Sequence, residues 1–168
     1  MSIVGAKVIR KEDPNLLTGR GQYVDDIQLT GITHMAFVRS TEAHALIKGI
    51  DVSAALECEG VIGAWTAADL ELPPLPEVPG LERPTLATDK VRFVGEAVAV
   101  IVAENKYAAA DGTELVVVDY DPLEAVTNIE EATKDDAPLL FEELGSNTVA
   151  EVPSADDHQA VFDSAPHT

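Results

Sequence analysis

The chain has 168 residues, a hydrophobic share of 46% and a net charge of −19, which bounds it to about one domain with ample apolar material for a core. That charge excludes a nucleic-acid binder of the ordinary kind, because phosphate binding is driven by Lys and Arg releasing counterions. The single cysteine, Cys58, excludes an internal disulfide and a cysteine-built cluster and fits a reducing compartment, and with no signal-peptide or membrane-length apolar segment a cytoplasmic protein is expected.

Residues 1–26 are expected to be an irregular N-terminal segment in which only short strands are possible, broken by Asp13-Pro14, by TGRG at Thr18–Gly21 and by Asp25-Asp26. Residues 27–127 carry the regular elements. Thr33–Ser40 (THMAFVRS) sets Met35 and Phe37 against Ala36 and Val38, the alternation of a strand. Ala45–Ile50 follows as a second strand. A helix is expected over Asp51–Glu59, capped by the Asp51 carboxylate, with Val52, Ala55 and Leu56 on one stripe and Gly60 as its stop. Val61–Trp65 (VIGAW) is a third strand, and Thr66–Leu70 a helical turn with Thr66 as cap and Asp69 at its third position. Leu72–Pro84 holds five of the ten prolines in thirteen residues and is expected to be an extended loop.

Val91–Tyr120 is the core of the chain. Ala97–Ala103 (AVAVIVA) is seven apolar residues without a polar interruption, the pattern of a strand buried on both faces. Asn105 can cap a short helix over Lys106–Leu115, whose Ala109 and Gly112 let it lie close to the sheet. Val116–Tyr120 returns as a strand, and Asp121-Pro122 is expected to stop it. Strand, helix, strand usually forms a parallel, right-handed unit, so the fold class expected is α/β (α+β), a mixed sheet with two short crossover helices. Residues 128–168 read as an acidic extension, with one capped turn at Asn128–Thr133, an apolar patch at Leu139–Phe141, and disorder expected from about residue 146. From Asp121 onward twelve acids face one base, Lys134, which places 11 of the 19 excess negative charges in the last 48 residues. Such a run is ordinarily a solvated face or tail.

No residue is assigned to catalysis, to a cofactor or to a metal. Glu96 follows Gly95 at the mouth of the core strand, but with no carboxylate or histidine close in sequence it reads as a loop anchor and not as a base. His34, His44, His158 and His167 include no pair at the helical spacing of a zinc site. Asp25-Asp26 and Asp135-Asp136 lack the glycine and ligand spacing of a calcium loop, and no lysine and helix follow Thr18–Gly21 to make it a phosphate loop. Five of the eleven bases, Lys7, Arg10, Lys11, Arg20 and Arg39, lie in the first 39 residues. Residues 5–26, with Arg10 and the turn Gly19-Arg20-Gly21, are therefore a candidate inter-domain docking surface; the alternative is an ordinary basic turn.

Several separated stretches carry a family resemblance. RKEDPNLLTGRGQYVDD at Arg10–Asp26, HMAFVRS at His34–Ser40, Ala43-His44, LATDKVRFVGEAVAVIVAE at Leu86–Glu104 and ELVVVDYDPLEAV at Glu114–Val126 resemble the N-terminal α/β hammerhead domain of molybdenum hydroxylase large subunits, the xanthine dehydrogenase, aldehyde oxidase and aerobic carbon monoxide dehydrogenase group. The resemblance spans roughly residues 5–147. Ala97 stands where proline commonly follows the Gly-Glu pair, and Gly112 where the helix usually has alanine. The resemblance implies a structural part of a larger oxidoreductase. Molybdopterin and the catalytic glutamate are expected on segments beyond this chain's end, and [2Fe–2S] clusters and FAD on partner subunits or domains. The partners implied are the remainder of the large subunit and the iron–sulfur and flavin subunits. An independent, non-catalytic binding or assembly module is the alternative.

Overall fold

The structure, a computed structural model, describes residues 4–5, 9–72, 84–151 and 162–165. The proline-rich loop over 73–83, the tail over 152–161 and 166–168, and with it His158 and His167, lie outside the described residues. The chain forms two compact units, Met1–Thr33 and His34–Thr168.

Where the sequence suggests nothing more regular than short strands, the first unit contains a helical turn, α1 (Asp13–Leu17). Pro14 starts this turn instead of breaking it, because in the first turn of a helix its fixed φ fits and its missing N–H has no partner to lose. Asp13 adds an acid at the positive end. The Thr18 hydroxyl donates back to the Pro14 carbonyl at 2.6 Å. Gly19, at φ +68°, then turns the chain out of the helix, and the Arg20 N–H reaches the Asn15 carbonyl at 2.8 Å.

The second unit is built on two three-stranded sheets. Strands β1 (His34–Arg39), β5 (Ala97–Ala103) and β3 (Val61–Thr66) form one in the order β1-β5-β3; β4 (Lys90–Val91), β2 (Ala45–Asp51) and β6 (Val117–Pro122) form the other in the order β4-β2-β6. Every one of these pairings is antiparallel. The α/β class stands, but the expected parallel unit does not form. β5 is flanked on both sides by β1 and β3, which precede it in the chain, so β6 finds no free edge there and pairs with β2 in the other sheet. The intervening helix α3 (Lys106–Glu114) thus crosses between sheets. β6 also runs on to Pro122, which pairs with Ala45 as the strand's last residue. An edge strand tolerates that proline because no neighbour needs its N–H.

The caps match the sequence closely. The Asn105 side chain accepts from the N–H groups of Tyr107 and Ala108, both at 3.0 Å, and starts α3. Asn128 does the same for Glu130 and Glu131 at the start of α4 (Ile129–Ala132). The Asp69 carboxylate accepts from both the N–H and the hydroxyl of Thr66 at 2.8 Å. The helix expected over Asp51–Glu59 contracts to α2 (Ser53–Leu56): Asp51 ends β2 and accepts from the Ser53 N–H and hydroxyl, and only Ala55 is buried. Leu56 faces solvent, because the turn is too short to turn a whole stripe inward.

The core is made of small residues. Ala45, Ala55, Ala87, Ala99 and Ala103 are fully or almost fully buried beside Leu86, Val91, Val98 and Ile101. α3 lies on β5 and β1 through Ala108, Ala109 and Gly112. A Cβ at Gly112 would come within 2.9 Å of Ile101 Cγ2 and 3.0 Å of Val61 Cγ2, so helix and sheet are closer than even alanine admits without a shift. Val100, at the middle of β5, is 7% exposed and has Phe37 and Trp65 as its ladder partners. Val100→Asp would bury a carboxylate there, at a cost of several kcal/mol out of a domain stability of about 5–15 kcal/mol. The variant is expected to melt far below the parent or to fail to fold; a melting temperature within roughly 2 °C of the parent would contradict the buried position.

Candidate functional site

Of the residues weighed from sequence, Glu96 lies at the entry to β5, and there the polar groups are spent on structure. Gly95, at φ +93°, lets the chain double back, and its N–H donates to the Ser40 carbonyl at 2.8 Å while its own carbonyl accepts from the Arg39 guanidinium at 2.8 Å. Glu96 is buried, and its carboxylate accepts from the Arg92 N–H at 2.5 Å. Its carbonyl accepts from the Ser40 N–H at 2.8 Å. A carboxylate tied into the 92–96 turn in this way anchors the start of β5; it is not a free base.

His44 is the other buried polar group nearby, and the sequence does not reveal its environment. Its Nδ1 lies 2.7 Å from the Glu124 carbonyl. A carbonyl can only accept, so Nδ1 carries a proton. The other ring nitrogen, Nε2, is buried with no hydrogen-bond partner among the described residues. Fixing Nδ1 on a carbonyl is how metal-binding histidines are oriented, yet among the described residues no group of three or more His, Cys, Asp or Glu side chains could hold a metal ion. His34 begins β1, and Cys58 is a free thiol.

A cavity of about 460 Å³ lies beside β4, walled by Leu70, Leu86, Thr88, Lys90, Arg92 and Phe141, among others. One wall is the segment after α4, the supposed acidic extension. The Lys90 ammonium pairs with the Glu142 carboxylate. Arg92 donates from Nε to the Leu140 carbonyl at 3.0 Å and lies 4.8 Å over the Phe141 ring. Asn147, beyond the point from which disorder is expected, ties the segment's other end. It accepts from the Leu140 N–H at 3.1 Å and donates to the carbonyls of Ala132 and Pro138. Both cations are thus committed to this segment, a strap over residues 133–147, and the cavity offers neither as a free anchor for a ligand. The docking candidates lie in the first unit. Arg10, Gly19 and Arg20 are exposed, Gly21 is half-buried, and Arg10 makes a loose 3.9 Å pair with Asp13; residues 6–8 of this surface lie outside the described residues.

The Lys90–Glu142 pair makes the strap sensitive to pH. The hydrogen bond from Lys90, then one from its own backbone N–H, holds the Glu142 carboxyl below the ordinary glutamate range. A carboxylate with a depressed folded pKa contributes stability above its unfolded value and loses it as pH falls through the folded one. Glu142→Gln should cost about 1 kcal/mol or less at neutral pH, since the carboxylate is well exposed and screened even though Lys90 is not. The gap in melting temperature between this variant and the parent should close on acidification past the ordinary glutamate range. A gap of the same size at neutral and acid pH would show that the pair adds no charge-dependent stability.

The comparisons with known proteins agree on one family. Residues 18–124 match the model described as aldehyde oxidase and xanthine dehydrogenase, a/b hammerhead domain. The chain is 41% identical over 162 residues to the carbon monoxide dehydrogenase large chain of Afipia carboxidovorans, a match covering 95% of this chain and 20% of that protein. Among solved structures, a Cu,Mo-CO dehydrogenase superposes with a TM-score of 0.75 at 45% identity, covering 83% of this chain and 18% of its own. The quinoline 2-oxidoreductase of Pseudomonas putida 86 superposes with a TM-score of 0.79 at 38% identity, covering 96% and 22%. The chain therefore spans about a fifth of the length of the relatives it matches. With more than half of its residues inside the family model and the same fold in those relatives, the chain belongs to the α/β hammerhead domain family of aldehyde oxidases and xanthine dehydrogenases.

Proposed function

We propose that this chain is the N-terminal hammerhead domain of the molybdopterin-binding large subunit of a molybdenum hydroxylase, a structural part without activity of its own. The observation that carries this reading is the 41% identity to a carbon monoxide dehydrogenase large chain along 95% of the chain. The described residues agree with a scaffold. Glu96, Lys90 and Arg92 are engaged in holding turns and the strap. In this reading molybdopterin is held by the remainder of the large subunit, and the [2Fe–2S] clusters and FAD by iron–sulfur and flavin subunits, in a cytoplasmic complex. No helix among the described residues is long and apolar enough to cross a membrane. The complete enzyme would hydroxylate a substrate oxidatively or oxidise carbon monoxide, and the choice among carbon monoxide, aldehydes, purines and N-heterocycles is made outside this chain.

Residues 5–26 are proposed as one of its contacts within such a complex. Arg10 and Arg20 stand exposed in a chain that is otherwise strongly acidic, and arginine's planar fork suits carboxylates and carbonyls of a neighbour. The complex carrying this chain, purified from its host through a tag on the chain, is expected to contain molybdenum in about equal amount, with iron and flavin, and to oxidise a member of those substrate classes. A homogeneous complex with no molybdenum would overturn the reading. Hydrogen exchange over residues 9–26 is expected to be slower in the complex than in the chain alone; equal exchange would remove this segment from the interface.

A further inference from the structure

The sheet β1-β5-β3 has one face filled and one open. Ala36, Ile101, Ala103 and Val61 point toward α3, as the contacts of Gly112 with Ile101 and Val61 require. The residues of opposite parity form the other face. In register, Met35 lies opposite Val102 and Gly63, and Phe37 opposite Val100 and Trp65. A Cβ on Gly63 would come within 2.2 Å of the Trp65 ring, so the indole lies along its own strand over the glycine. Met35 is 61% exposed and Phe37 36%. At the border Arg39 is held over the Phe37 ring at 5.8 Å and bonded to the Gly95 carbonyl.

A half-buried antiparallel sheet ordinarily turns polar side chains to water on its outer face. This one turns out Met35, Phe37 and Trp65 with an arginine at the edge, residue types enriched at protein interfaces. We propose that this face packs against an apolar surface of the remaining four-fifths of a molybdenum hydroxylase large subunit, a proposal that rests on the function given above. Two observations favour that occupant over a second copy. Each copy carries a net charge of −19, so self-association brings like charges together. The patch, three strands wide, is on the order of a few hundred Å², well short of the roughly 800 Å² per partner of a stable free complex. A surface tethered in the same polypeptide needs less area, because linkage supplies an effective concentration in the millimolar range. The relatives, of which this chain matches 20% and 22%, have that additional chain. The facing surface must be apolar opposite Met35 and Phe37 and offer a carboxylate or carbonyls to Arg39.

Hydroxyl-radical footprinting of the 168-residue chain and of the purified molybdenum-containing complex tests this. Met35 is expected to oxidise readily in the chain alone and at least tenfold more slowly in the complex, with Phe37 and Trp65 protected alongside it. Met35→Asp, at a side chain that is mostly exposed, should leave the melting temperature of the chain almost unchanged and lower recovery of the complex at least fivefold; Met35→Leu should restore it. Equal oxidation of Met35 in chain and complex, in a complex shown to contain molybdenum, would overturn the interface and leave the functional reading standing. A complex without molybdenum would overturn that reading itself, whatever the footprint. Protection of Met35 that appears in the isolated chain as its concentration rises would assign the face to a second copy and overturn the proposed occupant.

Discussion

The double ladder on β5 is the constraint from which the rest of the second unit follows. Once β1 and β3 have taken both edges of Ala97–Ala103, no later strand can join that sheet beside it, and the chain must leave through α3 to find the edge of β2. The turn that launches β5 is fixed just as firmly. Gly95 and Glu96 exchange backbone hydrogen bonds with Ser40 at the far end of β1, and the Glu96 carboxylate closes on Arg92. A hydrogen bond to a buried carboxylate is stronger than a neutral one and its loss leaves an unpaired charge. The register of the central strand is thereby set from its first residue.

Small residues then determine how close the layers come. Alanine at 45, 55, 87, 99, 103 and 109 removes side-chain bulk from both sheets and from α3, and Gly112 removes the last methyl between that helix and Ile101. A methyl at position 112 would lie 2.9–3.0 Å from two β-branched side chains. Relative to alanine, glycine here gives up about 1 kcal/mol of helix propensity and allows the closer approach. Such a core has little volume per residue, so its stability depends on contacts being complete, with few gaps to absorb a misfit.

Local features were legible in the sequence, and relations between distant segments were not. Asn105, Asn128 and the Thr66–Asp69 pair act on residues two or three positions away, so their side-chain chemistry alone names the caps. The uninterrupted run Ala97–Ala103 likewise gives its burial directly. The direction of β6 was misread because strand, helix, strand says nothing about edges already occupied by β1 and β3. Pro14 was read as a breaker because its effect depends on whether it falls in the first turn or the middle of a helix. The strap could not be found by pattern at all: Lys90 and Glu142 are 52 residues apart, Arg92 and Leu140 48. The resemblance to a known family supplied what periodicity could not, since several motifs in a fixed order specify a topology even when none of them specifies a contact.

The distribution of charge and of apolar surface divides the second unit by purpose. Its acids are concentrated after Asp121, and the two cations of the 90–92 segment draw part of that run back onto β4, where Arg92 covers the Phe141 ring and Lys90 meets Glu142. These contacts offset part of the charge repulsion within the strap. On β1-β5-β3 the arrangement is reversed. The face toward α3 is covered by the helix over Ala36, Ile101, Ala103 and Val61, while the face away from it presents Met35 and Phe37 to water and holds Arg39 in place at its edge. A domain that stood alone would lower its free energy by exchanging those two for Thr or Lys, which suit an exposed strand and discourage association. Keeping them is unfavourable in isolation and becomes favourable where another apolar surface completes the layer, as the proposed interface would.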